Sequence, residues 1–478
     1  MKRSKLTKPL SLALVGAALL IEPQAHALSL NEYLNQVKQE SLGYKGQNEQ
    51  AEAAALKSRE ADLIFTPQLF AEAVVGHDGK PNTPSMYDKV KSQTYSLGVS
   101  QQFDFGLQSR LYYELGRTEF EGAGPAIDPS KYWNATPKLE LTMPVWGGGF
   151  GTTARANEDI LRQQNLADQF SSDSNAQNML VGAEAAYWRL SAWQDVVTIQ
   201  EQAEKAAQNI LDYVTRKKRM NLGEEADVMQ ARALVEARTL ELQIARNETS
   251  EALRTFNKFL NKDAYAPVSG LEKVDYKRLE SIEVPKTRPG VRADVKAVEA
   301  QLEAAKANAV ITKERNRPTL DIFGNYALNG RDEAFNDAMK EAGQTEQDTA
   351  YIGLRFKMPL NIGATSDVKS GAVKAEKAAE LNHQYALYSQ EQDWINLTRG
   401  LTDARDNLRL LGRIEAAQKA KLDAERTRLR QGRTTTYQVL LFEQDYSQAA
   451  VSKVKSAAGI LGLQSQVKLY QNSPEGGR

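Results

Sequence analysis

Two stretches of this chain are too long and too regular in apolar spacing to fold as anything but extended helix. From Gly151 to Met220 the sequence runs for 70 residues without a proline, which is roughly 100 Å at 1.5 Å per residue. Val196, Ile199, Ala203, Ala206, Ile210 and Tyr213 recur at spacings of 3-4-3-4-3, and so do Trp394, Leu397, Leu401, Ala404, Leu408 and Leu411. A sustained 3.5-residue period describes helices that pack along their whole length through a coiled-coil seam. Ordinary globular domains do not hold helices of this length. The helices alone fit a plain two-stranded coiled coil as well as a larger assembly.

Each long helical tract is broken once, in "TRKKRMNLGEEADVMQARALVEA" (215–237) and in "AERTRLRQGRTTTYQVLLFEQDYSQA" (424–449). Two antiparallel helices need a residue that tolerates positive φ where the first one ends, and Gly223 and Gly432 are expected to supply it. Thr434, Thr435, Thr436 and Asp227 are expected to cap the helices that follow.

Aligning the punctuation of the chain exposes a duplication. "EAAALKSREADLIFTPQLFAEAVVG" (52–76) resembles "EAAKANAVITKERNRPTLDIFGNYA" (303–327). "TPKLELTMPVWGGGFGTTARANEDILRQQ" (136–164) resembles "YIGLRFKMPLNIGATSDVKSGAVKAEKAA" (351–379). Each half reads helix, strands, very long helix, break, long helix. Leu139, Leu141 and Met143 alternate with Lys138, Glu140 and Thr142, and Ile352, Leu354 and Phe356 with Gly353, Arg355 and Lys357. Thr319 to Ala327 alternates more weakly, and Thr94 to Phe120 is strand-like with a turn near Gly106. Strands with one apolar and one charged face fit a barrel that is apolar outside and wet inside. They fit a small soluble sheet equally well. Two or three hairpins cannot close a barrel alone, so a barrel here would need several chains.

The first 27 residues read as a secretory signal peptide. Lys2, Arg3, Lys5 and Lys8 precede an uncharged run from Leu10 to Ile21, and Ala25-His26-Ala27 supplies the small-x-small ending. The run is about a dozen residues, too short to span a bilayer. Removing the segment takes four positive charges and the negative charge of Glu22 from a chain of net charge zero, which leaves −3. That balance gives no reason to expect a nucleic-acid partner. The sequence has no cysteine, hence no disulfide framework and no cysteine for a lipid anchor. Beyond the signal no window approaches 18 apolar residues, so any membrane contact falls to β-strands.

Catalytic and metal-binding readings find little support. His77 and His383 are far apart and lack ligand spacing. "WGGGFG" (146–151) lies between an amphipathic strand and a polar helix start, and reads as a turn rather than a phosphate loop. Glu224 and Glu225 suit a solvated first helical turn, and "RKKR" (216–219) complements a helix C-terminus, with contact to an acidic partner patch as the second reading. Trp188, Trp193 and Trp394 are expected in helix seams. No catalytic residue, metal or cofactor is expected.

Over residues 28–472 the ordered combination of signal, duplicated halves, proline-flanked strands and a glycine-centred break in each long hairpin resembles the TolC-type outer-membrane efflux proteins. The resemblance implies an α+β membrane protein: a trimeric outer-membrane β-barrel continuous with a long periplasmic α-helical barrel, internally duplicated. It implies a passive exit duct of a tripartite efflux or type I secretion system, a homotrimer in outer-membrane lipid that docks on a periplasmic adaptor (membrane fusion) protein and an inner-membrane pump. The family's adaptor contacts flank the tip glycines and carry over to Leu222, Gly223, Gln431, Gly432 and Arg433; its gate positions give Asp227, Thr434 and Gln438. Departures are specific. The family's acidic residues six and nine places after the second glycine are here Gln438 and Leu441. Its tyrosine three before that glycine is Leu429, and its arginine two after is Thr434, with Arg433 one place early. Asp227 follows Gly223 by four residues rather than six, and is the only acidic gate candidate. Pro67 and Pro144 lie 77 residues apart against 41 for Pro318 and Pro359, room for six strands per chain instead of the family's four, either in a larger barrel or with a hairpin folded elsewhere.

The expected division is a signal at 1–27, a first repeat over 28–264 (strands 67–145, helical hairpin 150–260), a connector at 265–289, a second repeat over 290–472 (strands 318–360, hairpin 364–472) and a disordered tail at 473–478. The competing reading is a trimeric coiled-coil structural or adhesive surface protein without a conduit. A stalk has no need of helices that fold back twice.

Overall fold

The computed structural model describes residues 27–80, 87–268, 270–344 and 346–471. The signal segment, except Ala27, and the tail at 473–478 lie outside them. The helices are α1 (Leu30–Glu40), α2 (Leu42–Lys57), α3 (Thr152–Arg219), α4 (Glu225–Phe259), α5 (Tyr276–Glu280), α6 (Ala293–Arg315), α7 (Phe335–Glu341), α8 (Ile362–Arg430) and α9 (Thr436–Val467). The strands are β1 (Gln68–Asp78), β2 (Lys89–Gln102), β3 (Gln108–Glu121), β4 (Lys131–Trp146), β5 (Thr319–Leu328), β6 (Gly330–Asp332) and β7 (Asp348–Lys357). The chain has an α+β fold, and α3 and α8 contribute residues to both of its compact units.

One unit comprises Ser41–Gly182, Glu280–Arg409 and Gly459–Arg478. Its centre is an antiparallel sheet in the order β1-β2-β3-β4-β5-β7, with the short β6 on β4. Among the described residues six long strands lie side by side. In both halves a helix leads into a strand, α2 into β1 and α6 into β5, and a strand leads into a long helix, β4 into α3 and β7 into α8. The hairpin β2–β3 falls between β1 and β4, where the second half has, among the described residues, only β6 and α7. "WGGGFG" forms the turn from β4 to α3, with Gly147, Gly148, Phe150 and Gly151 all at positive φ. The Trp394 seam lies in this unit: Trp394, Leu397, Leu401 and Leu408 are buried, and Trp394 packs edge-on against Tyr470 at 4.9 Å.

The other unit comprises Met1–Glu40, Ala183–Leu279 and Leu410–Ala458. It holds the ends of both helical hairpins, α3–α4 and α8–α9. Val196, Ala203, Ala207, Ile210 and Val214 are buried along α3, while Ile199, Ala206 and Tyr213 are half-buried. Ala192 and Val196 pack with Ala245, Val451 and Val454. Closer to the turns, Ile210, Val214, Val228 and Ala231 of the first hairpin form one core with Leu422, Val439, Leu440 and Phe442 of the second. Tyr33 of α1 stacks on Phe256 at 4.1 Å and donates to its carbonyl, and Leu28 bridges to Leu271 in the irregular segment after α4. Between α4 and α6 the only helix among the described residues is the short α5.

Candidate functional site

Two features are candidates: the turns that end the hairpins, and the sheet. At the second turn α8 stops with Gly432 at φ 70°. The Gly432 amide donates to Leu429 O and the Arg433 amide to Arg428 O, the paired bonds of a Schellman motif. Nothing lies within 4 Å of a Cβ built on Gly432.

The first turn uses the same motif, but not around Gly223. Asn221 holds the left-handed position at φ 60°, its amide donates to Lys218 O, and the Leu222 amide to Lys217 O. Gly223 is not at positive φ, so the expectation that it ends α3 is corrected. The reason is local: asparagine is, after glycine, the side chain that best tolerates this conformation, and it comes two residues sooner. Asn221 therefore corresponds to Gly432, Leu222 to Arg433, Gly223 to Thr434 and Asp227 to Gln438. Burial follows this register. Leu222 and Arg433 are exposed, Gly223 and Thr434 half-buried, Asp227 and Gln438 half-buried, and Val228 and Val439 buried.

Capping differs between the turns. Thr435 accepts from the Gln438 amide at 3.4 Å and caps α9. Thr436 lies inside α9, and Thr434 donates instead to the buried carboxylate of Glu425, which also accepts from Arg428 at 3.1 Å. The start of α4 has no side-chain cap, so Asp227 does not serve as one; it sits in the first helical turn, where a carboxylate complements the helix dipole. Lys218 of "RKKR" pairs with Glu225 across the turn. Deeper in, Arg426 bonds buried Glu443 at 2.7 Å. Burial pushes the Glu443 carboxyl above the usual carboxylate range, against the pull of Arg426 and Arg238. Sequence reasoning missed Asn221 and the Glu425–Thr434 bond. It also missed Met220 and Tyr437, which stand out at the turns 61% and 53% exposed.

The sheet separates its side chains cleanly. Leu69, Val99, Leu111, Leu139 and Tyr326 stand opposite one another across five strands. Leu141, Gly324 and Ile352 form another row on that face, and Met143, Ile322 and Leu354 a third. Most of these side chains are exposed, Ile352 to 80%. On the opposite face Gln68, Ser100, Arg110, Glu140 and Asn325 make one row. There Tyr112 donates to Glu140 at 2.9 Å, Lys138 pairs with Glu114 at 2.8 Å, and the Arg110 guanidinium lies 4.2 Å over the Phe70 ring.

Aromatic side chains mark both ends of the apolar face. Trp146 and Phe356 lie at the helix-proximal end, and Tyr95 and Trp133 at the distal end. From Trp133 to Trp146 along the strand is about 43 Å. At the distal end α7 lies on this face, with Ala338 and Ala342 against Ala135 and Phe335 edge-on to Trp133. Both sheet edges, β1 and β7, lack a partner strand among the described residues.

No protein-family model matches the chain, and no curated protein does. Solved structures do. The outer membrane protein VceC from Vibrio cholerae matches at a TM-score of 0.64 and 13% identity, covering 92% of this chain and 95% of its own. The Campylobacter jejuni CmeC outer membrane channel matches at 0.62 and 13%, covering 98% and 93%. The open-state Neisseria gonorrhoeae MtrE outer membrane channel matches at 0.64 and 14%, covering 92% and 88%. Over nearly its whole length, the chain therefore has the fold of these outer-membrane channels.

Proposed function

We propose that the chain is one of three identical subunits of a passive export duct in the outer membrane. The observation that carries this is the six-stranded sheet, apolar on one face, charged on the other and open at both edges. Such a sheet has no stable resting place as a monomer, because an open edge presents unpaired backbone groups that lipid cannot satisfy. The even strand number sets β7 antiparallel to the β1 edge of a second copy, so identical chains can close head to tail into a ring. The polar face then lines the lumen and the apolar face meets lipid. The structural neighbours are outer-membrane channels, which supports the same reading.

The helical hairpins of the three subunits extend into the periplasm as a tunnel. Their turns dock on an adaptor protein that couples the duct to an inner-membrane pump. Leu222, Gly223, Gln431, Gly432 and Arg433 make that contact, together with Asn221. Asp227 and Gln438, at equivalent positions of the two turns, line the narrow but open periplasmic aperture; Thr434, with its hydroxyl engaged by Glu425, supports the turn. The duct performs no catalysis, and energy comes from the pump.

Two assays test this. Trimers in liposomes should release a trapped dye without nucleotide, and photocrosslinkers at Leu222 and Arg433 should capture a periplasmic partner in cells. Sealed liposomes contradict the duct, and crosslinkers that capture nothing contradict the docking assignment.

A further inference from the structure

We infer that the β2–β3 hairpin forms part of the membrane wall and widens the barrel to eighteen strands, a lumen suited to cargo with folded polypeptide segments. This rests on the reading of the chain as one subunit in a ring of three.

Within the duplication, β1 and β4 correspond to β5 and β7, so four strands belong to the repeated plan. The pair β2–β3 has no counterpart and is an insertion into the first half. A hairpin folded in water above the membrane would carry polar residues on both faces. This one does not. Its Leu97 lies in a row with Ala71 and Tyr113, and its Leu111 with Val99 and Leu139, so the apolar rows of β1 and β4 continue across it. Leu97 and Leu111 remain 58% and 60% exposed, with nothing among the described residues covering them. One residue along, Glu72, Ser96, Glu114 and Thr136 make an equally continuous polar row. A ring of three such sheets has eighteen strands.

Strand number fixes width. For strands about 4.8 Å apart and tilted about 40°, eighteen close at a backbone diameter of about 36 Å and twelve at about 24 Å. Lining side chains take about 6 Å from each wall, which leaves about 24 Å against about 12 Å. An α-helix with its side chains is about 10–12 Å across. Twelve strands admit one helix at most, and eighteen admit two side by side. The polar face suits such cargo. Arg110, Lys138 and Arg355 on it are matched by Glu72, Glu114 and Glu140, so it holds no strong charge of one sign to trap a chain in transit.

The chain has no native cysteine, so single cysteines can be read without background. In trimers reconstituted in lipid vesicles, Ser96→Cys and Glu114→Cys should react with a membrane-impermeant maleimide at least tenfold faster than Leu97→Cys and Leu111→Cys. Uniform labelling of all four places the hairpin in water and overturns the proposal. Width has its own test. Asp78 and Lys131 end one row apart, so excising 79–130 in favour of a short turn sets β1 against β4 and leaves a twelve-stranded ring. Polyethylene glycols added on the barrel side should fill the full-length pore at sizes the excised channel excludes. The same cut-off in both overturns the proposal, and the labelling result stands without the excised variant. Failure of the full-length protein to form any three-chain channel overturns the parent reading instead.

Discussion

Asn221 and Gly432 hold the same left-handed backbone conformation, at φ 60° and 70°, and each ends a long helix through the same pair of backbone hydrogen bonds. A β-branched residue at either position is strained by about 1–2 kcal/mol per chain. The long seams absorb that cost, so Asn221→Val and Gly432→Val should still give near-normal trimer yield while efflux and adaptor crosslinking are lost. Asn221→Gly should be tolerated. Gly223→Ala should be milder than Asn221→Val, because its φ is ordinary and an added Cβ meets only the Lys218 amide nitrogen at 3.2 Å and its neighbours. Trimer yield on detergent gels beside an efflux assay separates these outcomes. If Gly223→Ala is the more damaging, the register of the turns is wrong.

The two turns have diverged in what braces them. Glu425 and Thr434 in the second correspond to Val214 and Gly223 in the first, so a side-chain hydrogen bond stands where the first turn has two residues that cannot make one. Thr434→Val strips the buried Glu425 carboxylate of one donor and should destabilise by about 1–3 kcal/mol. Thr434→Ser should restore most of the loss. Thermal unfolding of the detergent-solubilised trimer checks both; equal stability of the valine and serine variants would show that the bond contributes nothing.

Glu443 gives the fold a pH dependence with a definite sign. Its folded carboxyl is held above its unfolded range because burial outweighs Arg426. The folded state therefore binds the proton more tightly. This contribution is fully present below the unfolded pKa, near 4.3, and is lost as pH rises through the folded value. Glu443→Gln should remove that decline, gaining on the wild type as pH is raised above about 4.3. Melting temperatures of the two proteins across this range should converge in acid and part toward neutrality. Parallel curves would mean that Glu443 titrates normally.

For the sheet, the decisive comparison is between neighbours on opposite faces. Leu141→Arg puts a guanidinium on the apolar face, where an arginine at the bilayer midplane costs about 2–4 kcal/mol. Glu140→Arg puts the same group on the polar face, where it loses the Tyr112 hydrogen bond and faces Arg110, a smaller cost in a wet lumen. Membrane-inserted trimer should fall far more for Leu141→Arg. Equal losses would mean that the two faces are misassigned.

The long helices were legible because their period repeats over many turns, so an error at one position does not shift the pattern; Val196, Ile210, Leu401 and Leu408 are all buried. Strand alternation was legible in β4 and β7, where Leu139 and Leu141 or Ile352 and Leu354 alternate with charges. It was weak in β1–β3, because alanine, glycine and serine carry little contrast in "FAEAVVG" and "YSLGVS". Those strands declare themselves only through register, when Ala71 falls beside Leu97 and Gly98 beside Tyr112, whose Cβ leaves no room for a side chain at Gly98. Glycine at the first break misled for a physical reason. It permits positive φ without requiring it, and the asparagine two residues earlier met the need first. The Glu425–Thr434 bond joins residues on either side of a turn, and no spacing rule announces it.

Single-channel recording from the purified, crosslinked three-chain species in planar bilayers tests the central claim most directly. The account predicts steady, ohmic openings without nucleotide or partner protein, and none from the monomer. A three-chain species that inserts and does not conduct, or a folded monomer that conducts as well, would contradict it.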